Sequence, residues 1–286
     1  RRYKDSKGDN HLRCRNEYIN GIGCSKMNIL QKIIEYKHLE VENRSKITPL
    51  KRIQDSQRLY SVRDFCGALK NDGIRIIAEI KRRSPVVGDI NMKADPGQTA
   101  ESYARNGAAC ISVLTDQHYF GGQLEFIQQV KAAVELPVLR KDFIISEYQV
   151  WETFQGGADA ILLIADAIEA SLLKDLYDLA NELGLHVLIE THNADHLKWI
   201  SDLDPEIVGV NCRNLAKMET DITWFESIAG DLPQNSIYVA ESGIKSHLDL
   251  KYISKLGFHS ALVGSSLMKS QDPGIALAEL TQRVPV

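Results

Sequence analysis

Short apolar runs rich in β-branched residues recur along the chain from about residue 75 onward. Each run is followed by a polar turn and then by a stretch with the periodicity of an amphipathic helix. The eight runs lie at residues 75–81, 110–115, 137–143, 160–165, 186–190, 207–211, 238–241 and 261–264. Helical stretches such as 172–183 and 246–256 lie between them. Glycines follow several helical stretches, where a left-handed C-cap favours them: Gly107, Gly157, Gly184 and Gly257.

This alternation of strands and helices predicts a parallel sheet, because a parallel connection needs a crossover. Eight such units favour an α/β fold of the closed (β/α)8 type, the TIM barrel. A doubly wound open sheet is the alternative. The dinucleotide fingerprint GxGxxG of that fold does not follow the first strand.

Residues 27–70 precede the first strand and contain helical patterns at 29–42 and 62–69. We expect extra N-terminal helices that lie against or cap the barrel, within a single domain spanning residues 27–286. Residues 1–26 have no apolar periodicity, and their acidic residues and low serine content are atypical of a signal or transit peptide. They are predicted to form a disordered or loosely attached extension.

The composition narrows the class of protein. A net charge of −4 argues against a nucleic-acid-binding surface, and no apolar run is long enough to predict a membrane span. The cysteine number is odd and no pair has CxxC spacing, so we expect neither a disulfide framework nor a zinc site, and a reduced, cytosolic setting fits best. The five cysteines are Cys14, Cys24, Cys66, Cys110 and Cys212.

Charged residues lie at the ends of several predicted strands. Side chains alternate between the two faces of a strand, so Ile77, Glu79 and Lys81 share one face, opposite Ala78 and Ile80. The same alternation places a set of ionisable residues, with Asn211, on the inward face at the mouth where barrel enzymes carry out chemistry. The set is Glu79, Lys81, Lys141, Glu190 and Glu241. The alternative is a structural ion-pair lattice or simply solvated strand ends.

Two loops of small residues follow the last two strands. They read AESGI at 240–244 and VGSSLM at 263–268. Small residues let backbone N–H groups approach an anion, and a short helix starting at Ser265 would direct its positive end towards it. The pair of loops predicts a phosphate site, as is common after strands seven and eight of such barrels. The alternative is that glycine and serine only cap helices.

Six of these segments together resemble the indole-3-glycerol phosphate synthase family. They are IAEIKRRSP at 77–85, LRKDF at 139–143, ETH at 190–192, GVNCRNL at 209–215, AESGI and VGSSLM. The resemblance covers roughly residues 28–280, and the two lysine-bearing segments are its specific part. The chain departs from the family pattern at Cys212, where Asn is frequent, and at Val86, where serine is frequent. Cys212 is expected to point away from the barrel interior.

The resemblance implies a role for each matching residue. Lys141 would be the general acid of ring closure, Lys81 would grip the substrate carboxylate and serve as a second candidate acid, and Glu190 would be the base of dehydration. Glu79, Asn211 and Glu241 would orient these groups. The substrate-binding and phosphate-binding residues would be Ser84, Phe120, Phe143, Arg213, Ser242, Gly243, Gly264 and Ser265, with Leu162 or Leu163 against the aromatic ring.

The family's substrate, 1-(2-carboxyphenylamino)-1-deoxyribulose 5-phosphate, explains the need for these groups. An acid must protonate the ketone while an aromatic carbon attacks it, which suits a lysine of lowered pKa. Carbon dioxide then leaves, and a base assists the loss of water. No redox change or electron sink is needed, so we expect no cofactor and no metal.

Three other classes of protein are alternatives. A Schiff-base aldolase would use a barrel lysine as nucleophile. A phosphoribosylanthranilate isomerase would need a cysteine and an aspartate, and Cys110 and Cys212 lie at the wrong places. A non-catalytic barrel would tolerate loss of the lysines. We expect the protein to bind a phosphorylated small molecule, and neither a nucleic acid nor a membrane. We expect it to be a monomer or a weak homo-oligomer, with a possible tryptophan-pathway partner.

Overall fold

The computed structural model describes residues 27–70, 73–214 and 217–284. Eight parallel strands close into a barrel in which consecutive strands are neighbours and the last pairs with the first, which confirms the predicted fold. The strands are β1 Arg75–Ile80, β2 Cys110–Leu114, β3 Val138–Lys141, β4 Ala160–Ile164, β5 His186–Thr191, β6 Ile207–Asn211, β7 Ile237–Glu241 and β8 Ser260–Val263. Two short antiparallel pairs, Arg83–Ser84 with Gly88–Asp89 and Arg213–Asn214 with Glu219–Thr220, follow β1 and β6.

Helices precede the barrel and connect its strands. They are α1 Ile29–Ile47, α2 Leu50–Gln54, α3 Phe65–Leu69, α4 Pro96–Arg105, α5 Gln117–Phe120, α6 Glu125–Ala133, α7 Glu147–Gly156, α8 Ala170–Glu182, α9 Ala194–Ser201, α10 Trp224–Ile228, α11 His247–Lys255, α12 Ser265–Met268 and α13 Pro273–Thr281. A 3-10 turn, Ala229–Asp231, continues α10. None of the helices within these described ranges combines the length and apolar character needed to cross a bilayer.

The predicted element ends differ from the observed ones by a few residues, for local reasons. Helix α1 continues past residue 42 because Arg44 and Lys46 form i,i+4 ion pairs with Glu40 and Glu42. Helix α3 begins later than predicted, where the Asp64 side chain accepts the N–H of Gly67. The four predicted C-capping glycines all have positive φ, between 74° and 91°.

The barrel wall separates two apolar clusters, as strand alternation predicts. Ile77 and Leu139 belong to the cluster inside the barrel, and Ala78 and Ile80 to the cluster between the barrel and its helices. Each strand therefore contributes alternate side chains to the interior.

The N-terminal helices lie against the barrel, which confirms the predicted helical extension. Helix α3 adds Phe65 and Leu69 to the inner cluster, and the Phe65 carbonyl contacts Cys110 Sγ at the start of β2. Helix α1 adds Leu30 and Ile33 to the same cluster. The predicted extension at residues 1–26 lies outside the described residues, and the single-domain boundary stays a prediction.

Candidate active site

A cavity of about 520 Å³ opens at the C-terminal ends of the strands. Every residue predicted from the sequence to act in catalysis or binding lines it. These residues are Glu79, Lys81, Ser84, Phe120, Lys141, Phe143, Glu190, Asn211, Arg213, Glu241, Ser242, Gly243, Gly264 and Ser265. Residues from seven strands or the loops after them thus share one space, and their chemical roles stay predictions.

The Lys141 ammonium lies between two buried carboxylates. Its Nζ is 2.6 Å from Glu190 Oε2 and 3.1 Å from Glu241 Oε2. Asn211 donates from Nδ2 to the other oxygen of Glu190 at 2.9 Å. On the first strand, Lys81 forms an ion pair with Glu79. The ion pairs that a structural lattice at the strand ends would require are therefore present, but they border a cavity.

Burial and charge act against each other on Lys141. Burial lowers the pKa of its ammonium, but the negative charges of Glu190, Glu241 and Glu79 outweigh burial and raise that pKa above its ordinary value. The expectation of a lowered lysine pKa is wrong for this structure. Two carboxylates contact the ammonium and the charge of Glu79 adds to theirs, whereas the expectation assumed a neighbouring cation or burial alone.

The two carboxylates beside Lys141 have opposite tendencies. Burial, then the neighbouring charge of Glu190, raises the pKa of Glu241 well above its usual range. Burial opposes the ionisation of Glu190 as well, but the Lys141 charge and hydrogen bonds from its neighbours lower its pKa. Glu190 is therefore the carboxylate held as an anion and Glu241 the more easily protonated one.

Two glycines make room for carboxylates at the strand ends. A Cβ on Gly209 would overlap Glu241 Oε1 and lie 3.2 Å from Leu188 Cδ1. A Cβ on Gly264 would overlap the carboxylate of Glu79 and lie 3.0 Å from its Cβ. Any side chain at these two positions would displace an acid that contacts a lysine.

An aromatic and aliphatic wall borders the cavity on the side of β2 to β4. The rings of Phe120 and Phe143 have centroids 6.0 Å apart and planes tilted by 36°. Leu162 faces the cavity beside them, whereas Leu163 lies in the cluster outside the barrel. Of the two leucines between which the sequence does not decide, Leu162 is therefore the one that borders the cavity.

The opposite side of the cavity presents backbone donors. Ser242 and Gly243 have positive φ, 68° and 74°. The N–H groups of Gly243, Gly264 and Ser265 donate to no acceptor in the part of the chain that the structure describes. Helix α12, after Gly264, has only four residues, so these amides, and not a helix dipole, are the feature of this side that suits an anion.

Sequence reasoning missed two cations on this side, Lys245 and Lys269, which also line the cavity. Their positions were a usable signal, since Lys245 follows Gly243 by two residues and Lys269 comes directly after α12. Arg213 lies nearby in the short pair after β6, where its Nε donates to Thr220 Oγ1 at 3.0 Å.

The two departures from the family pattern lie away from the charged cluster. Cys212 packs in the cluster outside the barrel, as expected, and burial raises the pKa of its thiol to about 12. Val86 is 51% exposed on the loop after β1. Neither Cys110 nor Cys212 lines the cavity, which removes the isomerase alternative. Within residues 27–70, 73–214 and 217–284, no group of three or more His, Cys, Asp or Glu side chains could hold a metal ion.

Comparison with known proteins agrees with this geometry. Among solved structures, a 3-hexulose-6-phosphate synthase superposes with a TM-score of 0.59 at 16% identity, over 73% of this chain and 99% of that one, which shows the fold alone. The indole-3-glycerol phosphate synthase 1 of Streptomyces coelicolor is 38% identical over 255 residues, 89% of this chain and 95% of the relative. The family model described as indole-3-glycerol phosphate synthase matches residues 30–280. The chain therefore belongs to the indole-3-glycerol phosphate synthase family of tryptophan biosynthesis, lyases that convert 1-(2-carboxyphenylamino)-1-deoxyribulose 5-phosphate to indole-3-glycerol phosphate with loss of carbon dioxide and water.

Proposed function

We propose that Lys141 and Glu190 carry out the acid–base steps of this reaction, with Lys81 holding the substrate carboxylate. The observation that carries the proposal is the contact of the Lys141 ammonium with two buried carboxylates, between an apolar wall and a set of unpaired amides. One end of this space suits an aryl group and the other suits an anion.

In the first step, Lys141 would donate a proton to the ketone oxygen as the aromatic carbon attacks the carbonyl carbon. The raised pKa keeps Lys141 protonated at neutral pH, so the acid is charged before the substrate arrives. An alkoxide is a stronger base than an amine. The proton therefore moves once negative charge has built up on the oxygen.

The two later steps use the remaining groups. Loss of carbon dioxide restores the aromaticity of the ring, and the Lys81 ammonium would hold the carboxylate until it leaves. A protonated lysine then assists the departing hydroxyl, while Glu190 removes a proton from the neighbouring carbon. Asn211 holds one oxygen of Glu190, and the other oxygen, which contacts Lys141, would accept this proton.

The remaining residues would bind and orient the substrate. The aryl ring would lie against Phe120, Phe143 and Leu162. The phosphate would accept hydrogen bonds from the amides of Gly243, Gly264 and Ser265, with Ser84, Ser242 and Arg213 at the edge of the same space. Anchoring both ends forces the flexible ribulose chain to bring its reacting carbons together. A crystal soaked in inorganic phosphate should place the ion against these three amides, and an ion bound only elsewhere would contradict the assignment.

The decisive experiment is to follow indole fluorescence when purified protein meets the substrate with no added cofactor. Indole should form, and Lys141→Ala should abolish most of the rate while a Lys174→Ala control, an exposed lysine on α8, should not. The aldolase alternative would be supported by borohydride trapping of a substrate adduct on Lys141. We expect no adduct, because the surrounding carboxylates keep the amine protonated and therefore not nucleophilic.

We also propose that the enzyme acts in the cytosol as a monomer or weak homo-oligomer, with residues 27–286 as one domain. All proposed catalytic groups come from one chain, so a second copy is not needed to complete the site. Sedimentation at micromolar concentration should give mainly the monomer mass.

A further inference from the structure

Lys37 of α1 is a lysine with no exposed side-chain surface, outside the catalytic cluster. Its ammonium contacts three carboxylates: Glu40 at 2.9 Å, Asp116 at 2.8 Å and Asp142 at 2.9 Å. Asp116 and Asp142 have no exposed side-chain surface either. Burial lowers the pKa of Lys37, but the three carboxylates outweigh burial and raise that pKa, so the side chain is a cation at neutral pH.

This cation closes a ring of ion pairs between α1 and the barrel. Asp142 also contacts Arg140 at 3.1 Å, and Arg140 contacts Glu152 of α7 at 3.3 Å. Glu152 contacts Arg44 of α1, and Arg44 returns to Glu40 at 2.8 Å. Arg140 lies on the outer face of β3, so the ring passes just outside the strand that carries Lys141.

The two aspartates bound by Lys37 also hold the backbone of the aromatic wall. Asp116 is the N-cap of α5, where its Oδ1 accepts the N–H of Tyr119 at 2.7 Å, and α5 ends at Phe120. Asp142 Oδ1 accepts the N–H of Phe143 at 2.8 Å. One ammonium therefore joins the anchors of both phenyl rings, although these follow different strands.

We propose that Lys37 is a positioning residue that sets the spacing of Phe120 and Phe143 and thereby the affinity of the site for the aryl end of the substrate. The proposal rests on the proposed function, in which these two rings contact that aryl group. Without the Lys37 charge, Asp116 and Asp142 would lose the cation that they share, although Arg140 would still contact Asp142. The repulsion between these two buried carboxylates would then separate the two segments that carry the rings. A role limited to attaching α1 would instead change stability without a selective effect on binding.

Lys37→Met tests the proposal, because methionine keeps most of the length of the side chain and removes its charge. We expect KM for the substrate to rise about tenfold or more, by displacement of a binding surface, with a smaller change in kcat. The inhibition constant of inorganic phosphate should stay within about twofold, because the proposed phosphate subsite lies on the other side of the barrel. An unchanged KM, or equal weakening of substrate and phosphate, would overturn the proposal.

Two controls separate positioning from stability and from the ring assignment. Arg44→Met breaks the same ring of ion pairs on the side away from the phenyl groups, so it should lower the thermal midpoint but leave KM nearly unchanged. Phe143→Ala tests the proposed function itself, since it should raise KM whatever Lys37 does. A raised KM in Phe143→Ala with none in Lys37→Met would refute the role of Lys37 alone.

Asp116→Ala covers the case in which Lys37→Met does not fold. This variant leaves Lys37 paired with Asp142 and Glu40 but removes the cap of α5. KM should again rise while the inhibition constant of phosphate stays unchanged. An unchanged KM in Asp116→Ala would refute the proposal independently of the lysine variant.

Discussion

Gly209→Ala should impair catalysis although residue 209 makes no contact with the substrate in the proposed binding mode. Gly209 lies on β6, and its backbone has no positive φ, so alanine causes no backbone strain there. An alanine Cβ would overlap Glu241 Oε1, well inside the 3.0 Å below which real Cβ atoms essentially never approach. Ordinary contact begins near 3.4 Å, so the carboxylate has to retreat by about 1 Å.

The size of the effect follows from what Glu241 holds. Its other oxygen is 3.1 Å from Lys141 Nζ, and a retreat of that size breaks this contact. Displacement of a catalytic group by about 1 Å can lower a rate about 100-fold, and we expect kcat to fall by about that factor. The free energy of unfolding should change by only about 1 kcal/mol, because relief of glycine's backbone entropy offsets part of the crowding.

Steady-state indole fluorescence and a thermal melt measure the two quantities on the same sample. Gly230→Ala is the matched control, because a Cβ there meets nothing within 4 Å, and it should leave both unchanged. If Gly209→Ala keeps kcat within about threefold of the unmodified enzyme, the placement of Lys141 by Glu241 does not matter for catalysis and the reasoning fails.

Three further substitutions test the proposed roles. Lys141→Ala should lower kcat by a factor on the order of 100 or more, the scale of a lost general acid, while phosphate inhibition is unchanged; a near-normal rate would remove Lys141 from the mechanism. Glu190→Gln should release carbon dioxide before indole absorbance develops in single-turnover experiments, whereas both appearing together, equally slowly, would leave Glu190 with a structural role. Glu241→Gln should raise the thermal midpoint at pH 8, because the folded-state pKa of Glu241 lies above its ordinary value and its ionisation costs stability as pH rises through that range. The gain should disappear as the pH falls towards 4.5, and a lower midpoint at pH 8 would contradict this assignment.

Much of the fold and of the candidate site could be predicted because both follow from strand alternation. An inward Ile77 places Glu79 and then Lys81 on the same side, and the parallel arrangement brings the ends of neighbouring strands together. Both rules depend on residues close together in the chain, so they can be applied to a single sequence. The assignment of Glu190 and Asn211 to the same cavity follows from the alternation of side chains along each strand and from the closure of the strands into a barrel.

The unpredicted features depend on which groups meet in space. The pKa of Lys141 rises because three acids from three other strands converge on it, and no local pattern states that number. The role of Lys37 was missed for the same reason, although it shares the buried stripe of α1 with Leu30 and Ile33, at helical spacing. A lysine on the apolar stripe of a helix is a usable signal that a buried acidic residue lies on the element against which that helix packs.

The three charged residues at 140–142 constrain how β3 can join the barrel while the protein folds. Arg140 points out to α7, Lys141 points in to the cavity, and Asp142 meets α1. A slip of one residue would turn every side chain of the strand to the opposite face. Asp142 would then turn away from Lys37, and Lys141 would turn away from Glu190 and Glu241. Because it is strongly unfavourable for a buried charge to lose its partner, the misaligned strand would be less stable than the native one. The charges of this strand thus favour its correct register in the barrel, before any substrate is present.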